Sequence, residues 1–405
     1  MKRIKEDIIR IGRAMLALGM QNSHSGNISV RYGDQMWITK TGSMKGHLQE
    51  NDIVNPGFSQ PQYGIFQASS ETGTHRRVLQ TAGAAIHAHS ISATLLSYLI
   101  DEFKPRDLPG RQYLETVPVV NFEYPVGSRE MEEQIPRVLE EHPAMIIKTH
   151  GPVVRGANLT EAFFRLCMLD YAAAVDLNLR RLRLAPALLP PPPGWPDYQE
   201  VRDRRDTSDE ELHRQFKRVA ADLFAHRLSP FHTGSMSVRD GKEMLYCPGA
   251  SVPPDLPLEI RRLSLDRAPR DFFQGLHQAA YRCGHCQAVL FTHSPEAMVQ
   301  GFVTGSRGED RIIPMDAEGG YLYPAIPVVT PDLEPEKIVK AAERYKMVMI
   351  LGTGVLALGH TPTHCLHHSS SIRNICLIRN QLLLMENQKL IEDIDRFADK
   401  RGTDW

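Results

Sequence analysis

The stretch His24-Ser25-Gly26-Asn27-Ile28-Ser29-Val30-Arg31, HSGNISVR, returns as His232-Thr233-Gly234-Ser235-Met236-Ser237-Val238-Arg239, HTGSMSVR, 208 residues further along a chain of 405. A phrase this particular rarely recurs by chance, and the likeness continues beyond it. Each copy runs on through a Gly-Asp or Asp-Gly turn into a strand containing Met36-Trp37-Ile38 or Met244-Leu245-Tyr246, the pattern of a hairpin. Val117-Pro118-Val119-Val120 then pairs with Ile326-Pro327-Val328-Val329, and Met145 to Gly151 with Val348 to Gly354. The offset drifts by only a few residues, as loop insertions within one common fold require.

Between the copies lies Ala185 to Glu200, APALLPPPPGWPDYQE. A proline run cannot be helix interior or central strand, so it reads as an extended, stiff spacer. The expected layout is a domain over 1–185, a linker over 186–207 and a second domain over 208–405. In the first copy, helices are expected near 2–19, 71–82, 91–101, 128–140 and 159–183, and strands near 27–31, 35–39, 84–89, 117–121 and 144–149. This is an α/β architecture of two tandem α/β/α domains. The hairpin makes each sheet mixed and largely antiparallel, with helices covering it.

Composition narrows the possible partners. Lys plus Arg total 47 against 48 for Asp plus Glu, so no field of one sign holds nucleic acid or an anionic membrane. No stretch approaches the ~18 apolar residues of a membrane span, and the charged N-terminal helix lacks a signal peptide's apolar core. A soluble cytoplasmic protein is expected. Six unevenly spread cysteines do not make a disulfide framework.

The chemistry-bearing residues are concentrated in the first copy. His87 and His89 stand at i and i+2 at a strand end, where both rings share a face, and His150 ends a second apolar strand. Three neutral imidazoles leave one position open on a tetrahedral ion, the arrangement of a catalytic site. Upstream, Ser69 or Ser70 caps a helix opened by Glu71, and a helix start with two hydroxyls suits a phosphate. Gly26-Asn27 and Thr41-Gly42 add small residues through which backbone can approach an anion.

In chain order, SGNIS, ITKTGS, SSET followed by His75, HAHS, and KTHG before a helix resemble the class II aldolase/adducin family typified by L-fuculose-1-phosphate aldolase. The resemblance covers residues 1–185 and, in framework only, the second copy. It implies that His87, His89 and His150 bind zinc, with other divalent metals able to replace it. Glu71 becomes the acid/base, and Gly26, Asn27, Thr41, Gly42, Ser69 and Ser70 bind the phosphate of a small phosphorylated sugar. The implied reaction is aldol cleavage or formation of a C–C bond in a phosphorylated ketose. A dehydratase or pentulose-phosphate 4-epimerase would use the same histidines, and an adducin-like interaction protein would use none of this chemistry.

The family also uses two tyrosines, one in a tail reaching a neighbouring subunit of a fourfold ring. Tyr113 is the candidate for the first, and here the linker and second copy occupy the tail position. Tandem copies can rebuild such a ring as a homodimer, with Tyr321 and Tyr323 as candidate replacements. In the second copy Phe291, Thr353 and Phe273 take the positions of His87, His150 and Glu71, and Ser235 that of Asn27, so a metal site is expected in the first copy alone. Cys283-Gly284-His285-Cys286 follows a helix instead of opening one, which argues against a redox dithiol. The cluster His364-Cys365-Leu366-His367-His368 receives no role.

Overall fold

A computed structural model describes residues 2–22, 24–199, 202–386 and 389–393. Glu200 and Val201 of the expected linker, and the end of the second domain from residue 394, lie outside the described residues. The chain divides into two compact units, 1–105 with 110–174, and 106–109 with 175–405.

The strands of the first unit are β1 (Asn27–Tyr32), β2 (Gln35–Thr39), β3 (Ile53–Val54), β4 (Ala84–His87), β5 (Glu102–Phe103), β6 (Val117–Val120), β7 (Ala144–Ile147) and β8 (Gly151–Gly156). Those of the second are β9 (Ser235–Asp240), β10 (Glu243–Pro248), β11 (Arg261–Ser264), β12 (Ala288–Thr292), β13 (Arg311–Ile312), β14 (Ile326–Val329), β15 (Met347–Ile350) and β16 (Gly354–Gly359). The two sheets have one topology, β3-β2-β1-β4-β8-β7-β6-β5 and β11-β10-β9-β12-β16-β15-β14-β13. Among the strand pairs of the described residues, β6 with β7 and β14 with β15 run parallel. The tandem α/β architecture and the mixed, largely antiparallel sheets are therefore as expected.

Local sequence accounts for the repeated frame. Tyr32 pairs with Gln35 and Asp240 with Glu243, leaving two-residue loops whose first residue is Gly33 or Gly241, at φ +60° and +62°. Glycine takes that conformation without steric cost, and such loops match the twist of the flanking strands. The helix Lys2–Ala17 buries Ile8, Ile11 and Met15, spaced to share one face. Helix Arg129–Glu141 buries Met131, Ile135 and Leu139 in the same manner, beneath Met145 and Ile147 of β7.

Several boundaries differ from the sequence expectation. The strand expected over 84–89 stops at His87, and that over 144–149 stops at Ile147, because the chain turns at once into β8. Strand β8 was absent from the expected set. The expected helix 71–82 is the shorter Thr72–Val78, with Glu71 itself at the N-cap, so neither Ser69 nor Ser70 is the cap residue. The proline run has no helix or strand. It does not continue as a free spacer, however: Phe272 N–H donates to the Gly194 carbonyl at 2.8 Å, and Trp195 stacks on Phe272.

Three buried histidines of the second unit have solvation as their dominant feature. Burial lowers His232 to about 3, His277 to about 3 and His293 to about 4, against an ordinary 6.5. Below pH 6.5 the unfolded chain takes up protons that the folded chain refuses, so stability is complete above that pH and is lost on acidification. We predict that the unfolding free energy from urea titrations holds steady above pH 6.5 and falls between 6.5 and 4, by up to roughly 1.4 kcal/mol per pH unit for each histidine. A flat profile across that window would contradict the neutral, buried assignment.

Candidate metal and acid/base site

The site begins with register. Strand β4 lies between β1 and β8, and its last residue, His87, pairs with Asn27 on one side and Val153 on the other. His87 Nδ1 lies 3.0 Å from the Pro152 carbonyl. A carbonyl can only accept, so the proton sits on Nδ1 and the Nε2 lone pair is free to ligate.

His89 lies two residues past the end of β4, with its N–H donating to the Met20 carbonyl. His150 closes the three-residue turn between β7 and β8. Thr149 in that turn has φ +67°, and its N–H donates to Ser97 Oγ at 3.0 Å. Gly151 follows at φ +153°, where a Cβ would meet the Ala88 carbonyl at 2.2 Å. The two loops are thus pressed together at the backbone.

Although His89 lies outside the strand, the three rings converge. Their centroids are 4.6, 4.7 and 5.0 Å apart, and one ring nitrogen from each lies within 4.8 Å of the others. His87 Nε2 and His150 Nε2 are 3.3 Å apart. Tetrahedral ligation at ~2.0–2.1 Å puts nitrogens about 3.3–3.4 Å apart, so the donor set fits a metal ion. Burial lowers His89 to about 3, with His87, His150 and Lys45 adding to the effect against the pull of Glu71. Burial also takes His150 below its ordinary value. Neutral imidazoles are the ligating form.

Glu71 is buried, and its side chain does not cap its helix. Instead Asn27 Nδ2 donates to Glu71 Oε2 at 2.8 Å and to Ser69 Oγ at 3.1 Å. Burial pushes the Glu71 carboxyl up, but His87, the Asn27 hydrogen bond, His75 and His150 together take it below the ordinary carboxylate range. His75, lowered to about 4 by burial, is neutral near pH 7. The Asn27 hydrogen bond therefore persists there as a fixed part of that pull.

The other expected residues gather around this pair. Thr41 Oγ1 donates to the Ala68 carbonyl at 3.0 Å, and Ser69 N–H to the Thr39 carbonyl at 3.2 Å, so the Thr41-Gly42 turn lies against Ser69-Ser70. Gly26 has φ +71°, and a Cβ there would meet the His87 carbonyl at 2.6 Å. Gly42 has φ +71° with open space around it. Tyr113 packs edge-on against Phe164.

No motif signalled Lys45. Its buried Nζ donates to the Ser43 carbonyl at 2.7 Å and the His24 carbonyl at 3.3 Å, and burial lowers it to about 8. The ammonium thereby ties the Gly26 segment to the Thr41-Gly42 turn. Its burial could not be read from sequence, because lysine ordinarily reports a solvated surface.

In the second unit the same register carries different side chains. Phe291 pairs with Ser235 as His87 pairs with Asn27. Thr353 N–H donates to the Ile350 carbonyl just as His150 N–H does to Ile147. The Phe291 ring lies 4.9 Å from Phe273 and 5.1 Å from His293, and Trp195 lies 5.0 Å from Phe273. Nδ1 of His293 lies 2.8 Å from the Thr353 carbonyl. The four-residue cysteine motif starts at the end of helix Phe272–Cys283, and burial pushes Cys286 up to about 11, the reverse of a reactive thiol.

Against known families, the Class II Aldolase and Adducin N-terminal domain matches residues 6–177 and 266–379. The chain belongs to that family, with both copies represented. It is 28% identical over 176 residues to an L-fuculose phosphate aldolase of Methanocaldococcus jannaschii, a match covering 43% of this chain and 95% of that protein. A methylthioribulose-1-phosphate dehydratase of Granulibacter bethesdensis is 32% identical over 196 residues, covering 44% of this chain and 92% of its own length. Among solved structures, the L-fuculose-1-phosphate aldolase of Thermus thermophilus is 30% identical and covers 46% of this chain and 100% of its own, with a TM-score of 0.43. Among the described residues no helix is long and apolar enough to cross a membrane.

The metal assignment has a direct test. Dialysed protein should retain about one divalent ion per chain by emission spectroscopy, and His87→Ala, His89→Ala or His150→Ala should lose it. Two tightly held ions, or an ion retained by all three variants, would place the metal elsewhere.

Proposed function

We propose that this chain is a metal-dependent aldolase, most simply a zinc enzyme, that cleaves or forms a C–C bond in a small phosphorylated ketose. The observation that carries this reading is the buried Glu71 carboxylate, held by Asn27, together with the three imidazoles that converge within ligating distance. A divalent ion held by His87, His89 and His150 supplies Lewis-acid stabilisation of negative charge on substrate oxygen as the bond breaks. The rest falls to the chain's own groups. Gly26, Asn27, Thr41, Gly42, Ser69 and Ser70 would cradle the phosphate, with Lys45 holding the two loops of that cradle together. Glu71, ionised at neutral pH, takes a proton from substrate carbon in condensation and returns it in cleavage.

In this reading residues 1–185 form the working domain, 186–207 the linker, and 208–405 a degenerate copy whose site is filled by Phe273 and Phe291. The three histidines and Glu71 favour an enzyme over an adducin-like interaction protein, which has no need of them. The identity to a methylthioribulose-1-phosphate dehydratase favours dehydration as the second reading, with 4-epimerisation on the same scaffold beside it. Product analysis with phosphorylated ketoses separates them: an aldolase releases an aldehyde, a dehydratase releases water, and an epimerase preserves the formula.

Glu71→Gln keeps the shape and the Asn27 contact while removing the titratable group. Turnover should fall roughly 10²–10⁴-fold, the usual worth of a positioned acid/base, with metal content retained. Near-normal turnover would remove Glu71 from the mechanism.

Assembly is the second proposal: a homodimer whose four domains form a pseudo-tetrameric ring. Tyr323 is buried with its hydroxyl 2.6 Å from His368 Nδ1, whereas Tyr321 is 70% exposed. Of the two candidate tyrosines, only Tyr321 is therefore presented outward. Sedimentation should give a dimer, and Tyr321→Phe should lower turnover. A fully active monomer would rule the ring out.

A further inference from the structure

A second site presents itself far along the sequence from the histidines, in a cavity of about 560 Å³ lined entirely by the second unit. Arg202, Arg204, Arg261, Arg262, Arg267 and Arg270 all line it, and among the described residues Glu259 is the one acidic residue of the lining. The whole chain is almost neutral, with 47 basic and 48 acidic residues, so this concentration is local and does not reflect general basicity.

The six guanidiniums divide into two groups. Three are pinned by acids. Arg261 Nε donates to the buried Glu259 at 2.7 Å and its Nη2 to Gln199 Oε1 at 3.0 Å. Arg204 forks onto Asp206 at 2.6 and 2.9 Å. Arg262 Nη1 donates to Asp240 at 2.6 Å and Glu243 at 3.0 Å. The other three, Arg202, Arg267 and Arg270, are exposed, and no salt bridge ties them to a carboxylate among the described residues, although Arg270 lies near enough to Asp271 to act on it electrostatically. Crowding unpaired cations around one cavity is unfavourable until an anion enters. Guanidinium forks match phosphate oxygens two at a time.

The remaining wall comes from Tyr198, Leu263 and Ala268, with Gln199, Ser264 and Gln274 as neutral polar groups. The volume falls within the ~300–1,000 Å³ of small-molecule sites, and a concave site favours a compact ligand over a duplex. We infer that the second unit binds a small molecule carrying at least two phosphate groups in this arginine-lined cavity. The first-unit counterpart of β11, which contributes Arg261 to Ser264, is the two-residue β3, Ile53–Val54, which carries no arginine. The degenerate copy thus has a ligand of its own, separate from the metal chemistry.

Calorimetric titration of the full chain with fructose 1,6-bisphosphate in 150 mM salt tests this. The wild type should show two sites, one in each unit. Arg202→Gln/Arg267→Gln/Arg270→Gln should lose the second-unit site, with affinity there falling about a hundredfold or more, and Arg270→Gln alone about tenfold. The melting temperature should stay unchanged, because these side chains hold nothing else in place. Ser70→Glu, which puts charge into the proposed first-unit cradle, should remove only the other site. If the phosphate reading of the first unit fails, one site remains, insensitive to Ser70→Glu and abolished by the arginine substitutions. Wild-type binding by the triple variant, or binding of a duplex oligonucleotide in place of the bisphosphate, would overturn the inference.

Discussion

The pairing of Asn27 with His87 across β1 and β4 is the constraint on which the candidate site rests. Side chains alternate between sheet faces, so a one-residue slip would send the Asn27 amide and the His87 ring to the wrong sides. With the register set, the Asn27 amide reaches Glu71 and Ser69 at once. His87 is placed beside His89 and His150 from loops that meet at the backbone. A carboxylate buried away from water needs such a donor, because desolvation would otherwise drive it to the neutral acid. Asn27 thus links the sheet to the buried Glu71 carboxylate.

The second unit shows what the same register does without those demands. Phe291 in place of His87 and Phe273 in place of Glu71 bury apolar rings against each other, and each is worth roughly 1.5–3 kcal/mol of burial. Ser235 in place of Asn27 turns to His277 Nε2 at 2.9 Å, while Ser237 lies 2.6 Å from the other ring nitrogen. Every polar atom of that ring is satisfied. In the first unit Ser29 meets His75 Nδ1 at 2.6 Å, but His75 Nε2 and Asn27 Oδ1 are buried without a partner among the described residues. An unmade buried hydrogen bond costs about 1–3 kcal/mol. At these equivalent positions the first unit leaves buried polar atoms unpaired where the second has either paired them or replaced them by carbon.

Much of this was legible in the sequence, and the reasons are specific. The repeated HSGNISVR phrase announced both copies because it codes for a glycine turn and a hairpin, features with strong local signatures. The histidine trio was readable since His87 ends an apolar strand and His89 and His150 follow apolar strands by two and three residues. Strand ends were less so: His89 looked like the end of β4 because Ala88 continues the alternation, yet the backbone leaves the sheet after His87. Glu71 as N-cap residue was missed because serine is the commoner cap, and only the Asn27 contact shows why the carboxylate points elsewhere. Lys45 and the arginine cavity had no sequence signal. Arg202 and Arg270 are separated by 68 residues, and only the fold brings the linker's end beside β11.

The turn before β8 and β16 shows how scaffold and chemistry have come apart. Gly151 and Gly354 have φ of +153° and +156°, and a Cβ at either would strike the Ala88 or Thr292 carbonyl at 2.2 or 2.4 Å. Both copies therefore need glycine there, whether or not the preceding residue binds anything. Two positions earlier the copies differ: Gly352 and Thr149 share φ +67°. Glycine adopts that conformation freely, whereas a β-branched residue is strained by roughly 1–3 kcal/mol. The first unit offsets this with the Thr149 N–H bond to Ser97 Oγ and the Thr94 hydroxyl bond to the His150 carbonyl at 3.3 Å. Those two bonds clamp the backbone on both sides of the His150 Cα, which limits how far its ring can drift from His87. Strain is thus held next to the third histidine of the trio and is relaxed where that histidine has become Thr353.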